Sequence, residues 1–181
     1  MNNTLAIKIR LLRKEDDRSY FNSGNIDLDR FFQRFAGQNQ FKHYIGSTYI
    51  AILETTIVGY ITVSPNEITA EKIHLATKKQ LPEYPIPVLR IARLAVASKF
   101  QGHGIGKQLL KSMLELALRL RDEAGCVGVV VDAKSESISF YRKLGFIDLA
   151  VTQGSLHDKP NPKPMFLAIK QIEQACKINQ P

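Results

Sequence analysis

The feature that most constrains this fold is an apolar strand pattern running into three closely spaced glycines and then a helical repeat. Val88-Leu89-Arg90-Ile91-Ala92-Arg93-Leu94-Ala95-Val96 reads as a strand, Gln101-Gly102-His103-Gly104-Ile105-Gly106 as a turn. Ile105, Leu109, Met113, Leu116 and Leu120 then recur at helical spacing up to Gly125, a residue suited to ending a helix. A turn of this kind sets main-chain N–H groups and the positive end of a helix dipole around one small volume, which favours a phosphate. Glycine lets the backbone approach an anion, and Lys107 adds charge at the rim. A structural turn without a ligand would also use glycine, so at this level phosphate binding is the preferred reading of two.

Spacing bears on two common nucleotide sites. A P-loop requires G-x-x-x-x-G-K-[ST], whereas Gln108 follows Lys107. A dinucleotide fingerprint opens a βαβ unit near the start of its domain, whereas this turn lies past mid-chain.

The flanking pattern supports an α/β domain with a mixed sheet. A first strand is expected at residues 5–9, and Leu28, Phe31, Phe32 and Phe35 mark an amphipathic helix capped by Asn25 or Asp27. Residues 48–53 and 57–63 are rich in β-branched and aromatic side chains and form an expected antiparallel hairpin. A short helix is expected near residues 71–79, and the three prolines at 82, 85 and 87 predict a stiff extended loop over 81–87. Further strands are expected at 127–131, 146–150 and 165–169, with a short helix from Ser135 or Ser137 to Leu144. Residues 1–170 read as one domain and 171–181 as a polar, loosely held tail.

Two cysteines without C-x-x-C spacing and four histidines without metal spacing offer no metal site, and the cysteine usage suits a reducing cytoplasm. No apolar run reaches the roughly 18 residues of a membrane span, and the first twenty residues lack a secretion pattern. The net charge of +8 favours an anionic partner such as a phosphate-rich cofactor or a nucleic acid.

Gln101-x-x-Gly104-x-Gly106 after Arg93-Leu94-Ala95-Val96, followed by Phe140-Tyr141-Arg142-Lys143-Leu144-Gly145-Phe146, resembles the GNAT superfamily of N-acetyltransferases. That resemblance implies a twisted, mostly antiparallel sheet of about six to seven strands flanked by helices, and acetyl-CoA as donor. It further implies that Gln101, Gly102, His103, Gly104, Ile105, Gly106 and Lys107 hold the coenzyme pyrophosphate. Leu94, Ala95 and Val96 would line the pantetheine arm, with a main-chain N–H at or near Val96 on the thioester oxygen, and Tyr141 would act as general acid.

Phe21-Asn22-Ser23-Gly24, Gly59-Tyr60-Ile61-Thr62-Val63-Ser64, residues 81–87 and Ala92-Arg93-Leu94-Ala95-Val96 resemble a narrower group. These are the GNAT toxins of toxin-antitoxin pairs, which acetylate the amino acid on charged tRNA. Asn22, Ala92 and Ala97 depart from that group's frequent cysteine, glycine and aspartate. The resemblance implies an aminoacyl-tRNA substrate, a ribbon-helix-helix antitoxin and a homodimer. Arg93, Arg90, Lys134 and Arg142 are the basic candidates for substrate contact, and Tyr84 a candidate pocket wall. Lys42, Lys78, Lys79, Lys159 and Lys163 could extend a phosphate-contacting face. Competing readings are a GNAT acting on a protein or small-molecule amine, and a non-catalytic coenzyme A-binding or antitoxin-associated module.

Overall fold

A computed structural model describes residues 6–69, 71, 82–149 and 162–178. Among these residues seven strands form one mixed, mostly antiparallel sheet in the order β1-β2-β3-β4-β5-β7-β6. They are β1 (Ile7–Leu11), β2 (Ser47–Leu53), β3 (Thr56–Ile68), β4 (Ile86–Val96), β5 (Gly128–Ala133), β6 (Ile147–Asp148) and β7 (Lys163–Ala168). The helices are α1 (Ile26–Arg30), α2 (Ala36–Gln38), α3 (Ile105–Glu123), α4 (Ile138–Lys143) and α5 (Ile169–Ile178). The expected helix near 71–79 lies, beyond residue 71, outside the described residues, as do Leu81 and Ala150. The chain clusters into two compact units, residues 1–64 with 91–113 and residues 65–90 with 114–181.

In the first unit the expected hairpin forms, with Leu53 paired to Thr56 and Glu54 in the left-handed region at φ 55. Ala51 pairs with Gly59 and Ile52 with Ile57, so Val58 is an extra residue at a bulge. Its carbonyl accepts the Ala97 N–H at 2.9 Å, which anchors the chain just beyond β4. A Cβ on Gly59 would lie 3.0 Å from Leu109 Cδ1 and 3.1 Å from the Ala95 carbonyl. Only glycine therefore lets the start of α3 settle so closely on the sheet.

Asn25 caps α1, its side chain accepting the Asp27 and Leu28 N–H groups at 3.2 Å each. The helical path then widens into π turns at Phe31–Phe35 and Asn39–His43. The expected stripe holds at Leu28, Phe31 and Phe32 and is corrected at Phe35 by that widening. An i→i+5 turn adds a residue per repeat, so Ala36 is buried while Phe35 stands 44% exposed. Phe32 stacks on Tyr60 with centroids 4.3 Å apart, and Phe21 meets both rings edge-on. Leu12, Phe31, Ile50 and Ala95 complete this core. The buried Tyr60 hydroxyl donates to the Leu28 carbonyl at 2.9 Å, and burial pushes its pKa well up.

Arg10 clasps Asp16 through two hydrogen bonds of 2.8 and 2.7 Å, and the Arg13 N–H adds a third at 2.7 Å. The Arg10 guanidinium holds the Asp16 carboxyl below the usual carboxylate range, against the opposing effect of burial. A depressed carboxyl stabilises the fold above its unfolded pKa of about 3.9 and loses that contribution as pH falls through its folded value. Asp16→Asn is therefore expected to cost about 1 to 2 kcal/mol at pH 7, read by urea unfolding. The difference from wild type should shrink below about pH 4.

The second unit pairs β5 with β7 from Gly128↔Ala168 to Ala133↔Lys163, and the two-residue β6 lies on the other side of β7. Its core gathers Ile86, Val88, Val130, Leu149 and Phe166. Gly125, at φ 89, ends α3 with its N–H on the Leu120 carbonyl at 2.8 Å, as its place in the sequence predicts. The loosely held tail expected from Gln171 is corrected through Ile178. Residues 169–178 are helical, Ile172 is buried, and Glu173 bonds Lys177 at 3.1 Å and Arg121 at 3.7 Å. A polar stretch reads as a tail until one apolar residue per turn finds a surface to cover.

Candidate functional site

Within the first unit, β4 carries Arg93, Leu94, Ala95 and Val96 to a single turn of 3₁₀ helix at Ser98–Phe100. Gln101 then secures the loop. Its side-chain amide donates to the Val96 carbonyl at 3.0 Å and to the Ser23 carbonyl at 2.9 Å. Ser98 N–H donates to the Asn22 carbonyl at 2.9 Å, so Asn22 is bonded to the 3₁₀ turn and Ser23 to the first residue of the glycine turn.

Gly102 and Gly104 have φ of 80° and 77°. That left-handed conformation, rather than crowding, requires glycine, because a Cβ at either position would meet nothing within 4 Å. The space in front of the turn is open. Ile105 is buried and fixes the start of α3, while Lys107 is exposed. The first-turn N–H groups of a helix have no intrahelical partner, and no acidic side chain stands in the first turn of α3. His103 Nδ1 lies 2.9 Å from the Gln101 carbonyl, which can only accept, so Nδ1 is the donor. An anion meeting this turn finds main-chain donors, a helix dipole and Lys107 together.

Arg93 is half-buried, its guanidinium 3.7 Å from the centroid of the Phe31 ring. It thus sits on an aromatic ring of the first unit, on the strand that leads into the glycine turn.

The remaining expected site residues belong to the second unit. Tyr141 on α4 is 5% exposed, with Phe140 and Phe146 edge-on at 5.1 and 5.3 Å. Burial pushes its hydroxyl up to about 12, so it keeps its proton across the physiological range. Lys134 is exposed, and Tyr84 is 64% exposed. Arg90 and Arg142 are each engaged by a carboxylate, Asp132 at 2.8 Å and Asp148 at 2.8 Å. Lys163 also binds Asp148, at 2.6 Å, and these two cations hold that carboxyl below the usual range, Lys163 foremost. Lys42 is exposed, whereas Lys78, Lys79 and Lys159 lie outside the described residues. Among the described residues no three His, Cys, Asp or Glu side chains gather to hold a metal. No helix there is long and apolar enough to cross a membrane.

The structure adds a cleft that the sequence pattern does not announce. Asn22, Gly24, Ile26, Asp29, Arg30, Gln33 and Arg34 line a cleft of about 420 Å³ in the first unit. The four-residue spacing of Ile26, Arg30 and Arg34 was its only signal, and such a row ordinarily marks a solvated helix face.

A family model described as an acetyltransferase (GNAT) domain matches residues 45–148. The tRNA-acetylating toxin of Mycobacterium tuberculosis (strain ATCC 25618 / H37Rv) is 26% identical over 140 residues, 76% of this chain and 82% of the toxin. Among solved structures, the toxin AtaT complexed with acetyl-methionyl-tRNAfMet has a TM-score of 0.78 at 24% identity, over 94% of this chain and 99% of that one. A mutant AtaT bound to acetyl-CoA and the C-terminus of the antitoxin AtaR has a TM-score of 0.74 at 22% identity, over 96% and 99%. At these identities the structural likeness establishes the fold.

Proposed function

The chain belongs to the GNAT acetyltransferase family, and from that premise we propose that it transfers the acetyl group of acetyl-CoA to the α-amine of aminoacyl-tRNA, so arresting translation. The observation that carries the donor half is the glycine turn: left-handed at Gly102 and Gly104, open in front, and continuous with the first turn of α3. The residues present fit a pyrophosphate. Main-chain N–H groups between Gln101 and Lys107 would hold it, with Leu94, Ala95 and Val96 beside the pantetheine arm. Bound acetyl-CoA supplies an acetyl group activated as a thioester.

The chain's own residues supply the rest. A main-chain N–H at or near Val96 would polarise the carbonyl, a kind of contact worth about 2.7 to 4 kcal/mol. The Tyr141 hydroxyl would offer its proton to the departing sulfur. With a pKa of about 12 it stays above an ordinary thiol at about 8.5, so it serves as a hydrogen-bond donor whose full proton transfer is uphill. An α-amine, at about 7.7 to 8.0, loses its proton at pH 7 for roughly 1 to 1.4 kcal/mol, against about 4.6 for a lysine. Acetylation of an α-amine therefore makes little demand for a strong base.

The acceptor half draws support from the M. tuberculosis relative and from the +8 charge, which suits an RNA. Arg93, held on Phe31, is the foremost candidate to meet the acceptor end. Arg90, Lys134, Arg142 and Tyr84 are secondary candidates, the two arginines already sharing their charge with Asp132 and Asp148. Cytoplasmic residence, a homodimer and a ribbon-helix-helix antitoxin complete the reading.

Purified protein incubated with acetyl-CoA and total charged tRNA is expected to yield acetylated aminoacyl groups. Turnover of peptides or free amines with charged tRNA untouched would overturn the tRNA reading. Gly104→Ala, which forces a Cβ onto a left-handed residue at about 1 to 2 kcal/mol, should weaken coenzyme A binding by about tenfold, measured by calorimetry.

A further inference from the structure

The cleft beside the glycine turn has walls that are largely satisfied from within. Asp29 Oδ1 accepts the Ser23 N–H at 2.8 Å and the Ser23 hydroxyl at 2.6 Å. The Gln33 amide donates to the Phe21 carbonyl at 2.9 Å, and Asn22 Oδ1 accepts the Gly24 N–H at 2.8 Å. Two guanidinium groups remain for a ligand. Arg30 has only an exposed bond to Asp27 at 3.0 Å, and Arg34 has no hydrogen bond or ion pair among the described residues. Ile26, 81% exposed, adds an apolar surface to the same cleft. Two cations and one apolar side chain around about 420 Å³, beside an Asp29 carboxylate already engaged by Ser23, match the chemistry of a phosphorylated nucleotide: charge for the phosphate, an aliphatic contact for the base.

Position ties this cleft to the reaction. Asn22 and Gly24 line it, and the same segment is bonded to Ser98 and Gln101 through the Asn22 and Ser23 carbonyls. A ligand here lies on the segment that braces the glycine turn. We propose that the cleft binds a phosphate-bearing nucleotide of the reactants, the RNA acceptor end, through Arg30 and Arg34. This rests on the acetyl-CoA and charged-tRNA reading above. Coenzyme A also carries a phosphorylated nucleotide, and the two sources are separable.

The test uses the full chain with Arg30→Gln and Arg34→Gln combined, and Lys8→Gln with Lys111→Gln as a pair that removes the same charge elsewhere. Binding of total deacylated tRNA is measured across a salt series, and binding of coenzyme A and dephospho-coenzyme A by calorimetry. The arginine pair is expected to weaken tRNA binding by about tenfold and to flatten its salt dependence by one to two ions, well beyond the lysine pair. Coenzyme A affinity should be unchanged. Loss of coenzyme A affinity with dephospho-coenzyme A unaffected would support the cleft as a phosphate site but assign it to the donor. Unchanged binding of all three ligands, or a tRNA loss no larger than the lysine pair gives, overturns the site. Wild-type protein that binds tRNA in the cleft yet acetylates none would sink the activity while the cleft stood.

Discussion

Tyr141→Phe should lower turnover on charged tRNA by roughly 10²- to 10⁴-fold while leaving coenzyme A affinity and thermal stability close to wild type. The ring is 5% exposed and its packing is aromatic, against Phe140 and Phe146, so a phenylalanine fills the same volume. What disappears is one hydroxyl that, with a pKa of about 12, is protonated wherever the enzyme works. That value also shapes the pH profile. Wild-type activity should rise with pH as the acceptor amine loses its proton near 7.7 to 8.0, and should show no fall from Tyr141 below about pH 11. Steady-state kinetics over pH 6 to 10, with calorimetric binding of coenzyme A to both proteins, checks both statements. A phenylalanine variant within about threefold of wild type would remove Tyr141 from the chemistry and leave it a core residue.

The largest effect on folding is expected from Gly128→Ala. In β5, opposite Ala168 of β7, an added Cβ would collide with the Leu167 carbonyl oxygen and the Phe166 ring. The carbonyl is backbone within a paired strand, and Phe166 is buried in the core of the second unit, so neither can yield cheaply. Overpacking of this kind costs about 3 kcal/mol or more, equivalent to a fall in Tm of roughly 6 to 12 °C for a chain of this size. Gly102→Ala provides the contrast, because a Cβ there meets open space and only the left-handed backbone resists it. Thermal unfolding followed by circular dichroism distinguishes them. A Gly128→Ala melt within about 2 °C of wild type would contradict the close approach of β5 and β7.

What escaped the amino-acid pattern was close approach and register rather than the elements themselves. Gly128 read as one member of an apolar run, Val127 to Val131, because nothing within those five letters announces a neighbouring carbonyl. The bulge at Val58, which receives Ala97, is equally silent, since a hairpin pattern counts alternation and not register. Phe35 and Ala36 exchanged places for the same class of reason. A periodicity of 3.6 does not describe a stretch whose π turns follow the aromatic core against Tyr60.

The electrostatic picture divides similarly. A count of basic residues suggests an anionic partner, yet treats every arginine alike. Arg90 and Arg142 are matched by Asp132 and Asp148, Arg93 lies on Phe31, and Arg34 lines a cleft. These are three different environments for one residue type.

The strand, the glycine turn and the helix behind it were determined by sequence alone, because each depends on neighbours a few residues away. Left-handed φ at Gly102 and Gly104, the stop at Gly125 and the cap at Asn25 are local matters of backbone sterics and short hydrogen bonds. Only the tertiary structure decided what surrounds that turn. Gln101 reaches Ser23 across 78 residues, and Arg90 finds Asp132 across 42. Such contacts are selected by burial and charge after the chain has closed on itself, and no spacing along the sequence encodes them.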